Sequence, residues 1–136
     1  VERAIYCILE HCYRDDDGRG WSWFQFPPKI APLTVLVSPL IKKEPLTEIS
    51  FKTYCNLKEK GIDTEYDDRG SVGKRYARAD EIGVPFCVTI DYDTPKANTV
   101  TIRDRDSRKQ VVVNRDNLTE TISKLVSGIT KFEELL

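Results

Sequence analysis

Two stretches constrain the fold more than any others: TVLVSPL at 34–40 and VPFCVTIDY at 84–92. The first is a short, continuous run of apolar and β-branched residues, the pattern of an interior strand covered on both faces, and the second reads as a further strand of the same sheet. Such strands need helices above and below the sheet, and candidate helices lie where they are required. Residues 45–60 place Leu46, Ile49, Thr53 and Leu57 on one face and stop at Gly61. IDTEYD at 62–67 alternates as a second strand. A second helix starts from a Ser71 cap and runs to about Ile82, with Val72, Tyr76, Ala79 and Ile82 predicted inward, and Gly83 followed by Pro85 ends it. Strand–helix–strand units of this kind imply parallel pairing through right-handed crossovers.

Downstream, DTPKAN reads as a turn, and TVTIRD (99–104) with KQVVVN (109–114) reads as an antiparallel hairpin. Asn117 with Glu120 suggests a capping box for a helix carrying Leu118, Ile122, Leu125 and Val126. Gly128 interrupts it, and Phe132, Leu135 and Leu136 suggest one last turn. From residue 34 the order β-α-β-α-β-β-β-α predicts an α/β fold: a mixed sheet of about five strands flanked by helices. Upstream, residues 1–13 form an amphipathic helix through Ile5, Ile8, Leu9 and Cys12. RDDDGRG is a linker or loop, WSWFQF a short strand or packing strip, and PPKIAP extended.

The chain has 136 residues, 40% of them hydrophobic, enough for one core. With 21 Lys and Arg against 22 Asp and Glu, the net charge is -1, so overall charge does not point to nucleic acid or to a membrane surface. A polyanion partner would need a local basic patch. The apolar runs are too short for a membrane-spanning helix, and no signal peptide is expected. The four cysteines, at 7, 12, 55 and 87, form no CxxC pair, and His11 is the single histidine. A zinc site is therefore not expected; reduced, mostly buried thiols are. The chain lacks Met and opens at Val1 within an amphipathic segment, which suggests a piece of a longer protein.

Two polar clusters invite chemistry. In 67–83, GSVGK is too short for a phosphate-binding loop, and GSVG fits the GXXG loop of KH domains only in isolation. The plainer reading is a turn feeding a capped helix whose Lys74, Arg75 and Arg78 face solvent. In 101–110, Arg103 and Arg105 lie two apart on a strand and share a face, with Asp104 and Asp106 on the other. Such an arginine pair suits bidentate contacts to phosphates or base edges, or else a charged hairpin held by cross-strand ion pairs. Phe86 is either core or a stacking platform for an unpaired base. Asp91 and Asp93 suit metal binding or acid–base work, or merely a turn entry; no third acidic ligand has helpful spacing, so no metal is assigned.

Taken together, FQFPPKIAP (24–32), YDDRGSVGKRYARADEIGVPF (66–86), VTIDYDT (88–94) and TVTIRDRDSRKQV (99–111) resemble the C-terminal end of class II glycyl-tRNA synthetases of the eukaryotic and archaeal type. The resemblance implies an anticodon-binding domain over 21–136, of the class IIa type. It implies that residues 1–20 are the last helix and linker of a truncated catalytic domain. VER at 1–3 resembles the end of motif 3, making Arg3 a remnant of the ATP-phosphate site. By this resemblance the fragment holds no catalytic residue and no cofactor. The full-length enzyme, a cytoplasmic homodimer, uses ATP and Mg²⁺ to attach glycine to its tRNA, whose anticodon has cytosine as second and third base; the fragment itself would be monomeric. Phe86, Asp91, Asp93, Arg103 and Arg105 would then read the anticodon, with carboxylates accepting from cytosine amino groups and arginines donating to its acceptors. Lys74, Arg75 and Arg78 would hold the RNA backbone. The acidic loop 14–21 would face away from it. The alternative is a stand-alone relative of such domains, binding another nucleic acid or a protein partner. A small enzyme using Asp91, Asp93 and His11 is a third, weaker reading.

Overall fold

Helix α1 (Glu2–Cys12) opens the chain and leads into a two-stranded antiparallel ribbon, β1 (Tyr13–Arg14) with β2 (Trp23–Phe24). Then follow β3 (Val35–Pro39), α2 (Leu46–Glu59), β4 (Thr64–Tyr66), α3 (Val72–Ile82) and β5 (Phe86–Ile90). A short α4 (Thr94–Ala97), β6 (Thr99–Asp104), β7 (Gln110–Asn114) and α5 (Leu118–Ser127) complete the regular structure, with 3₁₀ turns at Arg115–Asn117 and Phe132–Leu135. The computed structural model describes all residues from 1 to 136.

The main sheet has the order β4-β3-β5-β6-β7. β3 runs parallel to β4 and β5, while β5–β6 and β6–β7 are antiparallel. This is the mixed five-stranded α/β architecture read from the sequence. The continuous apolarity of β3 has the expected cause, which β5 shares. Val35, Val37, Phe86, Val88 and Ile90 point to one face, where α2 and α5 supply Leu46, Leu57, Leu118, Ile122 and Leu125. Leu36 and Cys87 point to the other, where α3 supplies Ala79, with Val84 beside it. Burial pushes the Cys87 thiol up to about 12. The other cysteines are free as well, and Cys7 is exposed rather than buried.

Several local expectations change. The inner face of α3 carries Arg75, Ala79 and Asp80, while Ile82 is 52% exposed. The helix is rotated from its apolar stripe because Asp80 meets buried guanidinium groups. Asn117 occupies the N-cap position of α5, but its side chain makes no capping hydrogen bond, so the expected capping box is not formed. Asn114 instead accepts from the Asp116 N–H and starts the 3₁₀ turn that runs into the helix. DTPKAN contains α4 rather than a bare turn, and only Trp23–Phe24 of WSWFQF is strand. The β6–β7 turn is held by Asp104, which accepts from the Ser107 N–H and hydroxyl, not by cross-strand ion pairs. The division expected between residues 20 and 21 falls inside the β1–β2 ribbon, whose loop buries Arg19 against the main domain. Helix α1 stands apart from the core, with Ile5, Ile8 and Leu9 all exposed.

Candidate nucleic-acid interface

A buried carboxylate organises the α3 side of the sheet. Asp80 accepts from both terminal nitrogens of Arg103 (2.9 and 3.1 Å), from Arg19 Nη1 (3.1 Å) and from the Trp21 indole N–H (3.1 Å). Arg103 also lies over the Tyr76 ring, 4.6 Å from its centroid. Burial works against the charge on Arg103, but the Asp80 hydrogen bonds and charge outweigh it and raise its pKa above the ordinary value. Arg19 stacks on Trp23 at 3.8 Å, also donating to the Arg105 carbonyl. Arg105 donates to the carbonyls of Gly83 and Phe26 (2.8 and 2.6 Å) and to Asp106. Both Arg103 and Arg105 are therefore buried structural donors. They do not present a paired arginine surface to RNA, which corrects the expectation from their spacing. A strand-alternation argument sees which face a side chain takes but not whether a helix covers that face.

Two further expectations are corrected by burial. Phe86 is core, packed with Val35, Leu118 and Phe132. Arg75 is 2% exposed, and its guanidinium donates to the carbonyls of Pro39, Asp68, Arg69 and Gly70. It staples the end of β3 to the 67–70 loop instead of reaching a phosphate. Arg78 is half-buried, donating to Asp67 and to the Arg69 carbonyl. Asp67 is held below its usual carboxylate range: burial opposes the charge, but the Arg69 N–H and the Arg78 and Arg69 guanidiniums more than offset this.

What these anchors leave free lies along the end of the sheet where parallel strands β3, β4 and β5 finish. Ligands of open α/β sheets lie outside such strand ends. Lys74 follows the Ser71 cap, is exposed and forms no ion pair. Lys43 is exposed on the loop after β3 and Lys96 on the short helix α4, and Lys42 approaches Asp68 only to 3.7 Å. Burial and the Asp68 carboxylate push the Tyr66 hydroxyl up to about 12, so this tyrosine stays neutral beside the lysines. Tyr92, 62% exposed, and Asp93, exposed, sit on the loop after β5. Asp91 is half-buried and occupied: it accepts from Thr101 Oγ1 (3.0 Å), Thr94 Oγ1 and the Asp93 N–H. Beyond α3 the sheet face is open. Tyr76 bonds Thr89 (2.9 Å) at the edge of the covered part, and Thr101 and then Val112, 62% exposed, continue the row across β6 and β7. Tyr92, an aromatic between Asp91 and Asp93 in a loop, carries a signal legible in the sequence, whereas Val112 sits between Val111 and Val113 and only the tertiary structure exposes it.

Arg3 is exposed on α1 and forms no ion pair. No group of three or more His, Cys, Asp or Glu side chains is placed to hold a metal ion, so no step is derived through ATP–Mg²⁺. His11 is exposed on α1, in a different element from Asp91 and Asp93, so no acid–base triad forms.

The fold and its open, lysine-edged face define a class: a small α/β domain with one helix-free stretch of sheet bordered by cations and an exposed aromatic. The family model for "Anticodon binding domain" matches residues 34–125, and the chain belongs to that family. Among curated proteins it is 44% identical over 124 residues to the glycine–tRNA ligase of Methanocaldococcus jannaschii, covering 91% of this chain and 21% of that protein. It is 43% identical over 129 residues to the glycine–tRNA ligase of Pyrococcus furiosus, covering 94% of this chain and 22% of that protein. The chain thus spans about a fifth of the length of these relatives. Among solved structures it is similar to prolyl-tRNA synthetase from Cryptosporidium parvum complexed with L-proline and AMP. That match has a TM-score of 0.72 and 25% identity, and covers 83% of this chain and 24% of that one.

Proposed function

We propose that this chain is the anticodon-recognition domain of a glycine–tRNA ligase, and that it binds the anticodon of glycine tRNA while the parent enzyme, fuelled by ATP with Mg²⁺, attaches glycine. The observation that carries the reading is 43–44% identity to archaeal glycine–tRNA ligases over more than nine-tenths of the chain, joined to the anticodon-binding family match. A dimeric, cytoplasmic parent enzyme belongs to the same proposal. No helix is long and apolar enough to cross a membrane.

Within this reading the RNA lies over the open face and the strand-end loops. Lys74, with Lys43 and Lys96, neutralises phosphates; Tyr92 and Val112 offer surfaces for unstacked bases; Asp93, whose carboxylate makes no hydrogen bond, accepts from a cytosine amino group. Asp91, Arg75, Arg78, Arg103 and Arg105 act as positioning residues that set the loops and strands carrying those groups. The residues up to about 20 are proposed as the end of a preceding catalytic domain, with Arg3 belonging to its ATP site. The test is a titration with a glycine-tRNA anticodon stem-loop. Replacing either of the last two anticodon cytosines is expected to weaken binding by about 1–3 kcal/mol. Unchanged affinity after both replacements overturns the reading.

A further inference from the structure

Strand β7 is one edge of the sheet, and its outer side has no partner. The Asp104 N–H donates to the Lys109 carbonyl and the Arg115 N–H to the Asn98 carbonyl. These two bonds fix the parity of the antiparallel ladder. Residues 109, 111, 113 and 115 bond inward to β6, whereas Gln110, Val112 and Asn114 occupy the non-bonded pairs, opposite Arg103, Thr101 and Thr99. The N–H and C=O of Gln110 and Val112 and the N–H of Asn114 therefore point away from the sheet. All three residues are exposed, and no protein group bonds these atoms.

Edge strands are ordinarily blunted by a charge, a proline, a bulge or a covering segment. QVVVN has no charge and no proline, its five pairs with β6 run without a bulge, and nothing covers Val112. The charges lie just outside the strand, at its start. Arg108 and Lys109 are exposed and form no ion pair, while the neighbouring Asp106 is held by Arg105.

We propose that β7 is a docking edge for an extended peptide of a partner protein, added as a sixth strand, with carboxylates lying against Arg108 and Lys109. A peptide fits better than RNA because the edge offers carbonyl acceptors as well as N–H donors, alternating at strand spacing, which a phosphate chain cannot satisfy. A second copy fits less well: antiparallel self-pairing about Val112 sets Lys109 opposite Arg115, two like charges, and Arg108 opposite Asp116, so the two charge contacts offset each other, whereas carboxylates of a peptide would meet both exposed cations. The docked strand would use the backbone edge of β7, whereas the base contact proposed above uses the Val112 side chain on the open face, so the two share Val112 through different groups.

The experiment is residue-resolved amide exchange on the 136-residue chain, with two capped heptapeptides of alternating threonine and valine, one ending in glutamates and one in lysines. The glutamate peptide is expected to slow exchange at Gln110, Val112 and Asn114 by about tenfold, leaving the already bonded Val111 and Val113 nearly unchanged. The variant Val112→Pro removes an outward N–H without touching the β6 ladder and is expected to abolish the effect, while Val112→Thr retains it. Lys109→Glu is expected to shift preference to the lysine peptide. Three results overturn the proposal: no added protection at those three amides in the native chain, protection of them by an anticodon stem-loop instead, or protection in the absence of peptide together with dimers in sedimentation.

Discussion

Asp80 concentrates more structural dependence than any other side chain. Its two oxygens take four donor nitrogens from three side chains, two of which are buried guanidiniums. Removing the carboxylate charge leaves Arg103 without its counter-ion, while Arg19 keeps Asp17; breaking a buried pair in this way costs about 3–5 kcal/mol. Asp80→Asn is therefore expected to lower the urea-unfolding free energy by an amount in that range, and to release Arg19 and Trp21 with the ribbon loop. Arg103→Ala is expected to act on stability in the same way. If Arg103→Ala left stability intact but relaxed discrimination at one anticodon base, Arg103 would be an RNA reader after all. The thiols give a second check. Burial keeps Cys87 neutral well above physiological pH, while Cys7 is exposed, so iodoacetamide at pH 8 is expected to modify Cys7 and spare Cys87 in the folded chain.

At the scale of elements, the turn after α3 depends on Gly83. Its φ is +84°, in the left-handed region, and a Cβ there would stand 2.2 Å from the Phe26 ring. Gly83→Ala combines the left-handed cost of roughly 1–2 kcal/mol with displacement of Phe26 from its stack on Phe24. Thermal unfolding is expected to show a loss larger than the backbone cost alone. The loop at 67–70, between β4 and α3, gives a pH prediction. Asp67 has a lowered folded pKa, so its contribution is present above the ordinary carboxylate value near 3.8 and is lost as pH falls through the lower folded value. Acid titration of stability is expected to be flatter in Asp67→Asn over that acidic window and unchanged in slope at neutral pH. A variant whose acid limb matched the parent would remove Asp67 from the account.

The whole molecule carries a charge of -1 yet is read as an RNA-binding domain. The two agree because charge is sorted by the fold. Acidic 14–17 lies on the ribbon, and Arg75, Arg103 and Arg105 are buried, while Lys43, Lys74 and Lys96 gather at one end of the sheet. Affinity for an anticodon stem-loop is thus expected to fall with salt by only a few released counterions. Lys74→Ala is expected to reduce the log–log salt slope by roughly one while keeping the preference among anticodons. A slope unaffected by Lys74→Ala would move the RNA off this edge.

By itself, the order of apolar runs determined the sheet. Continuous apolarity in β3 demands cover on both faces, and the alternating helices dictate parallel pairing. The family resemblance rested on the same linear segments, above all 66–86. Burial of polar groups was decided only by tertiary structure. Arg75, Arg103 and Arg105 look like RNA ligands in a linear reading because guanidinium groups usually stay in water. They are buried because distant partners converge on them: Asp80 for Arg103, the Pro39 carbonyl for Arg75, Gly83 and Phe26 for Arg105. Those meetings span up to 79 residues of chain, and no local spacing encodes them. The open face and the bare β7 edge follow for the same reason: whether a strand's side is covered depends on where helices from elsewhere come to lie.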